Sequence, residues 1–272
     1  MLPRRLKNQG KRILRSLFEA GQHLGIDILP RHFYSEIPNI HELRKSKGWR
    51  EPLSFSGICA DIGTQIAFVD QSTAPFRKDL TRRTLHNKAL EMNGTHEGFG
   101  PIESDLLYCF VRKHQPSTIV QVGCGVSTAV CLIASRDEGY KPNIICIEPY
   151  PTAFLKNASD SGHIRLIQKK LQEVYRGCAE WVSNDDLFFV DSTHTLGPAG
   201  EGSRIILDVL PNLPPGAYVY FHDIWFPYDY DPSILDGALC FWPETVLLYA
   251  FLCMNQRLPP RPSRQLRRKI QR

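Results

Sequence analysis

Thr118-Ile-Val-Gln-Val-Gly-Cys-Gly-Val-Ser-Thr128 and, downstream, Ile144-Ile-Cys-Ile-Glu-Pro149 decide how this chain folds. A short apolar run ends in a Gly-x-Gly turn, a helix-like segment follows, and a second apolar run closes on a carboxylate. That order is the front half of a nucleotide-binding βαβ unit. Gly123 and Gly125 let backbone approach a ligand closely, and Glu148 is placed to accept the protons of two ribose hydroxyls. The pattern points to an adenosine-containing cofactor.

The alternation continues outward from this unit. Gly100-Pro101 opens a helix with Leu106, Leu107, Phe110 and Val111 on one face. Strands are predicted over 118–122, 143–147, 163–167, 186–190 and 217–221. Helices are predicted from Ser127 and Thr128, from Pro151, over 171–182, across 204–210, and over an apolar 242–254. Strands alternating with helices imply a parallel sheet with right-handed crossovers. Residues 39–95 are mixed and polar, with weak helical signals near 61–69 and 79–91, and read as a cap or lid. Pro30–Pro38 is an aromatic, proline-bracketed loop. The chain thus divides into a basic helix and cap over 1–97, an α/β domain over 98–256 and a basic, disordered tail over 257–272.

The net charge of +5 is unevenly spread. Residues 1–15 carry six Lys/Arg and no acid, and residues 257–272 carry seven and no acid. Setting those thirteen aside leaves −8 for the body of the chain. Basic charge therefore sits on the tails and not on the fold, which argues against a specific nucleic-acid partner. Such tails can touch anionic lipid, acidic polymers or nothing. Residues 4–24 carry apolar side chains at 6, 13, 14, 17, 18 and 24 with cations between them. This is an amphipathic basic helix, able to lie weakly on a membrane surface or to pack on its own domain. Arg15 and Ser16 break its apolar run, so it is no secretory leader. No stretch approaches the ~20 apolar residues of a bilayer span. Eight cysteines occur without a Cys-x-x-Cys pair, several inside apolar runs. They read as buried thiols of a cytoplasmic protein.

The fourth and fifth predicted strands end in Val190-Asp-Ser-Thr-His194 and Phe221-His-Asp-Ile224. In a parallel sheet these ends share one edge with the glycine turn, the edge where open α/β folds place ligands. Asp191, His194, His222 and Asp223 are accordingly the candidate catalytic residues. Dinucleotide-binding dehydrogenases want a third glycine three residues after the second, and Thr128 stands there.

The order of these motifs resembles the class I S-adenosylmethionine-dependent methyltransferases. It is more closely similar to a bacterial Methyltransf_24-like subfamily with Val-Gly-x-Gly-x-Ser-Thr, Ile-Glu-Pro, Phe-x-Asp-Ser-x-His and His-Asp-Ile-x-x-Pro signatures. Those enzymes are often linked to polysaccharide or secondary-metabolite pathways. Pro30-Arg-His-Phe-Tyr-Ser and Phe99-Gly-Pro-Ile-Glu-Ser104 extend the likeness. The resemblance implies a Rossmann-like sheet with helices on both faces and an N-terminal helical cap. It implies methyl transfer from S-adenosylmethionine to an oxygen of a glycan or other hydroxylated small molecule. Carried onto this sequence, Gly123 and Gly125 wrap the methionine end of the cofactor, with Ser127 and Thr128 at the helix start beside them. Glu148 holds the ribose, Leu171 lines the adenine, and Asp191 lies under the sulfonium and the acceptor. Asp191 and Asp223 match the places where catechol-type O-methyltransferases hold Mg²⁺, which favours oxygen ligands and can lower the acceptor pKa. Without metal, His222 or His194 is the candidate general base.

Two features depart from that pattern. Gln121 stands at the cofactor-binding first-strand position where an acid is usual. After Met254 the sequence carries no alternating apolar pattern, so the antiparallel strand pair that ends this fold is missing. Two other readings remain open. An NAD-dependent oxidoreductase would share the glycine loop and Glu148 but does not need His-Asp-Ile, and a degenerate, non-catalytic binding protein would hold no cofactor.

Overall fold

The computed structural model describes residues 4–54, 57–58, 61–80, 84–231, 233–237, 239–253 and 255, with side chains from residue 10 onward. The tail 257–272 lies outside the described residues. The chain forms two compact units, Met1–Gly48 and Trp49–Arg272. In the first, α1 spans Arg4–His23 and α2 Ile40–Lys45. α1 stops because the chain folds back on it: Ile26 N–H donates to Gly21 O at 2.9 Å, and Gly25 turns with φ +73°. The Asn39 side chain caps α2 by accepting from His41 N–H.

The second unit runs α3 (Ile62–Thr73), α4 (Arg77–Leu80), α5 (Leu85–Met92), α6 (Pro101–His114), β1 (Thr118–Val122), α7 (Val126–Glu138), β2 (Asn143–Ile147) and α8 (Ala153–Asp160). It continues with β3 (Arg165–Ile167), α9 (Leu171–Cys178), β4 (Leu187–Val190), α10 (Glu201–Arg204), β5 (Tyr218–Phe221) and α11 (Glu244–Leu252). The five strands are all parallel in the order β3-β2-β1-β4-β5, the Rossmann-like arrangement. Among the described residues no strand follows β5, which forms an edge of the sheet.

Side-chain alternation along the strands makes two cores. Ile119, Ile144, Cys146, Leu187 and Phe189 pack with α6 and α7, while Val120, Val122, Ile145, Phe188 and Val190 pack with α9 and α11. Phe188 and Phe189 are wholly buried on opposite faces; each contributes about 1.5–3 kcal/mol through the area it removes from water. Asp186 pins the start of β4 to β1, accepting from Thr118 N–H at 2.7 Å and Ser183 N–H at 2.8 Å. Arg112 ties α4, α6 and α7 together through Asp79 (2.6 Å) and Glu138 (2.7 Å).

Two expectations change. The segment 204–210 is not a regular helix: α10 widens into a π-helical turn at Ile205–Val209 and then a 3₁₀ turn at Leu210–Asn212. Pro211 has no N–H for Leu207 O, so an α ladder cannot pass through it. α3 and α5, expected in a lid, pack on the outer side of α6 and α7. The segment that follows them brings Asn93 to the glycine loop and Phe99 over His222, and Leu53 N–H, ahead of α3, donates to Pro227 O in the loop after β5.

Candidate active site

Strand register builds the site. The last paired residues form one row, Phe221–Val190–Val122–Ile147–Ile167. The next residue of four strands still donates its N–H across: His222 to Val190 O, Asp191 to Val122 O, Gly123 to Ile147 O and Glu148 to Ile167 O, at 2.8, 2.9, 3.1 and 3.1 Å. Four expected site residues therefore stand side by side. β1 and β4 flank the point where the strand order reverses, the ligand crevice of open α/β sheets.

Gly123 has φ +80°, and a Cβ there would lie 1.6 Å from Asp191 O. The glycine is thus required by the protein's own β4 end, beyond any approach of a ligand. A Cβ at Gly125 would lie 3.0 Å from Asn93 Nδ2. Asn93 is buried, donates to His96 O at 3.0 Å and accepts from Thr152 Oγ1 at 2.9 Å. It joins the glycine loop to the N-cap of α8. No sequence motif marks Asn93, because its role rests on contacts far along the chain.

Four expected cofactor contacts are buried. Gln121 and Thr128 are wholly buried beneath the loop, where Thr128 Oγ1 accepts from Gly125 N–H (3.3 Å) and donates to Gln121 Oε1 (2.7 Å). Gln121 is on the strand face that packs under α7, so it shapes the loop from below; Ser127 beside it is buried too. Leu171 begins α9 and points fully into the core, leaving no surface for adenine. Glu148 is half-buried on the open edge as expected. Its Oε2 accepts from Cys124 N–H (3.3 Å) and its Oε1 from Tyr150 N–H (2.9 Å). Each oxygen retains a lone pair for hydroxyl donors.

The acids and histidines form one continuous chain. His222 Nδ1 sits 3.3 Å from Asp191 Oδ1 and 3.4 Å from Asp223 Oδ2. His194 Nε2 sits 3.6 Å from the same Asp223 oxygen, and His194 Nδ1 is 2.7 Å from Glu244 Oε2. Phe99 covers the His222 ring at 5.0 Å between centroids, and Trp242 covers His194 at 4.7 Å. His194 and Asp223 hold φ of +57° and +52°. Such left-handed backbone costs a non-glycine residue of order 1–3 kcal/mol and clusters at functional sites. Glu244, 1% exposed, has no counterpart among the expected residues. It stands twenty residues beyond the His-Asp-Ile motif, at the first turn of α11.

Burial works against a charged His222, but the contacts with Asp191 and Asp223 outweigh it and push its pKa up to about 10. Burial likewise opposes a charged His194, and Glu244, then Asp223 and Asp191, raise its pKa nonetheless. The nearby His222 ring holds the Asp223 carboxyl below its ordinary range against the effect of burial, with His194 adding to it. The contacts with Asp191 and Asp223 thus favour the charged form of His222. Ligand atoms of Asp191, His194 and Asp223 lie within 4.8 Å of one another, a spacing suited to a divalent cation. A cavity of about 710 Å³ between α5, α7 and α8 shares Asn93 and Thr152 with this region, but none of the strand-end acids or histidines lines it.

Residues 120–224 match the Methyltransf_24 family, described as a methyltransferase domain. A protein of Archaeoglobus fulgidus described only as uncharacterized is 27% identical over 139 residues, 47% of this chain and 60% of that protein's length. The chain thus spans under two thirds of that relative. An S-adenosylhomocysteine-bound methyltransferase of Podospora anserina, PaMTH1, aligns with 61% of this chain and 76% of its own at 17% identity. Its TM-score of 0.41 is too low to carry an argument. The matched stretch, residues 120–224, holds the glycine loop, Glu148 and all four strand-end groups, so the chain is similar to the methyltransferase-domain family over the part that builds this edge of the sheet.

Proposed function

We propose that this chain transfers the methyl group of S-adenosylmethionine to a hydroxyl oxygen of a sugar or another hydroxylated small molecule. The observation that carries this reading is the alignment of Gly123, Glu148, Asp191 and His222 along one edge at the strand-order reversal. The residues present fit the cofactor. The glycine loop and the start of α7 border the strand-order reversal, where open α/β sheets take a ligand, Glu148 has lone pairs for the ribose hydroxyls, and Asp191 offers negative charge to a sulfonium. When bound, the cofactor supplies an electrophilic methyl group on that sulfonium.

The chain's own groups then have defined tasks. Carboxylates at Asp191 and Asp223 accept hydrogen bonds from acceptor hydroxyls and orient one oxygen in line with the methyl group; positioning of this kind supplies much of the acceleration. As the oxygen–carbon bond forms and the sulfur–carbon bond breaks, the hydroxyl proton must leave. We assign Asp191, at the end of β4 beside the strand-order reversal, to accept it. A divalent cation also fits. Asp191 and Asp223 would hold it with His194 Nε2 as third donor, since Glu244 engages Nδ1 in the manner of a metal-site histidine partner. Such an ion would lower the pKa of the acceptor hydroxyl. An imidazole donor suits manganese, iron or zinc better than magnesium.

Calorimetry of the full chain with S-adenosylhomocysteine and with NAD tests the reading, followed by labelled-methyl transfer to a panel of hydroxylated acceptors. Tighter binding of NAD would sink it in favour of a dehydrogenase. A folded sample that binds neither would make the chain a non-catalytic binding protein.

A further inference from the structure

The segment around α1 exposes apolar side chains out of proportion to its length. Among the described residues, ten of nineteen exposed large apolar side chains fall between positions 13 and 37. Single exposed apolar residues need no explanation, but a dense group marks an interaction surface. Ile13, Leu14 and Leu17 are 56%, 43% and 51% exposed. At 3.6 residues per turn they fall, with Gly10 and Gly21, in one stripe about 100° wide along the helix. Lys11, Arg12 and Arg15 take the opposite side. Beyond the helix, Leu24, Phe33 and Tyr34 are more exposed still.

We infer that residues 4–37 form a docking surface for an anionic lipid bilayer. Charge complementarity selects this occupant. Residues 1–15 carry six cations, and the first acid in the chain is Glu19. Nucleic acid would use the cations but has no use for the apolar stripe. A second copy of the chain would present the same cations and repel. A bilayer surface takes both: the stripe reaches the acyl boundary while the lysine and arginine heads remain among the phosphates. α1, twenty residues long, would lie along the surface for about 30 Å. Phe33 and Tyr34 have ring centroids 3.8 Å apart; Phe33 adds apolar surface, and Tyr34 has the amphipathic ring of an interfacial residue. No helix among the described residues is long and apolar enough to cross a membrane, so the attachment is peripheral.

Sedimentation of the full chain with phosphatidylcholine vesicles, with and without a quarter phosphatidylglycerol, tests the inference. The chain partitions onto the anionic vesicles at low salt and is released as salt rises. Replacing Lys11→Ser together with Arg12→Ser weakens partition by about 25-fold, about five-fold per cation. Ile13→Ser with Leu17→Ser weakens it as well, which pure charge attraction would not. Equal recovery on neutral and anionic vesicles, no effect of the Ile13/Leu17 change, or a dimer that these changes dissolve would each overturn the inference, as would RNA binding without vesicle binding. S-adenosylhomocysteine affinity, measured on the same variants, checks their folding and stands apart from the vesicle result.

Discussion

His194 Nδ1 lies 2.7 Å from Glu244 Oε2, linking the end of β4 to the first turn of α11. Both side chains are buried, and Glu244 Oε1 has no hydrogen-bond partner among the described residues. The acid lies at a helix N-terminus, where the backbone dipole favours negative charge. This bond points His194 Nε2 at Asp223, and through Asp223 it connects to His222 and Asp191.

Glu244→Ala is expected to cost about 1–3 kcal/mol in urea unfolding, because it removes the hydrogen-bond partner of the buried His194 Nδ1. Glu244→Gln keeps an acceptor oxygen and is expected to cost clearly less. Equal losses for both would mean that the cost comes from packing and not from the hydrogen bond.

The two glycines of the loop are expected to differ. Gly123→Ala forces a methyl group onto Asp191 O and a left-handed backbone, which alone costs about 1–2 kcal/mol. Loss of cofactor binding and a large fall in stability should follow. Gly125→Ala meets only the end of the Asn93 side chain, so the added change Asn93→Ala should recover part of its loss. A Gly123→Ala protein of unchanged stability would refute the contact.

Glu148→Ala is expected to weaken S-adenosylhomocysteine binding ten-fold or more, about 1.4 kcal/mol, while Asp191→Ala leaves that affinity near its original value and removes transfer. Calorimetry and single-turnover assays separate these outcomes; the reverse pattern would exchange the two roles.

Chelation by EDTA is expected to lower transfer, with manganese restoring it better than magnesium because one donor is an imidazole. An unchanged rate after chelation would remove metal from the site and leave Asp191 to take the proton unaided.

Stability is expected to depend on His114, whose pKa is lowered by burial and, secondarily, by Lys113, against a smaller opposite effect of Asp185. The unfolded chain, with its histidine near 6.5, binds a proton that the folded state resists. This contribution is full above about pH 6.5 and is lost as pH falls toward the lower folded pKa. His114→Gln should flatten that part of the stability profile; an unaltered slope would show that other groups produce it.

The strands, their order along the chain and the polar groups at their ends are legible in the residues alone. Apolar runs closed by Gly-x-Gly, Glu148, Asp191 and His222 report local chemistry, and a parallel sheet has only one carboxyl edge on which to gather them. Packing decided the rest. Gln121, Thr128 and Leu171 look like ligand contacts in a linear motif, yet strand alternation and helix direction turn them inward. Asn93 and Glu244 have no local signature at all. They matter because the folded chain brings Asn93 against Gly125, thirty-two residues away, and Glu244 against His194, fifty residues away. A sequence motif records what neighbouring residues do together; a buried polar partner far along the chain acquires its role only when water is excluded and its hydrogen bond has no other place to go.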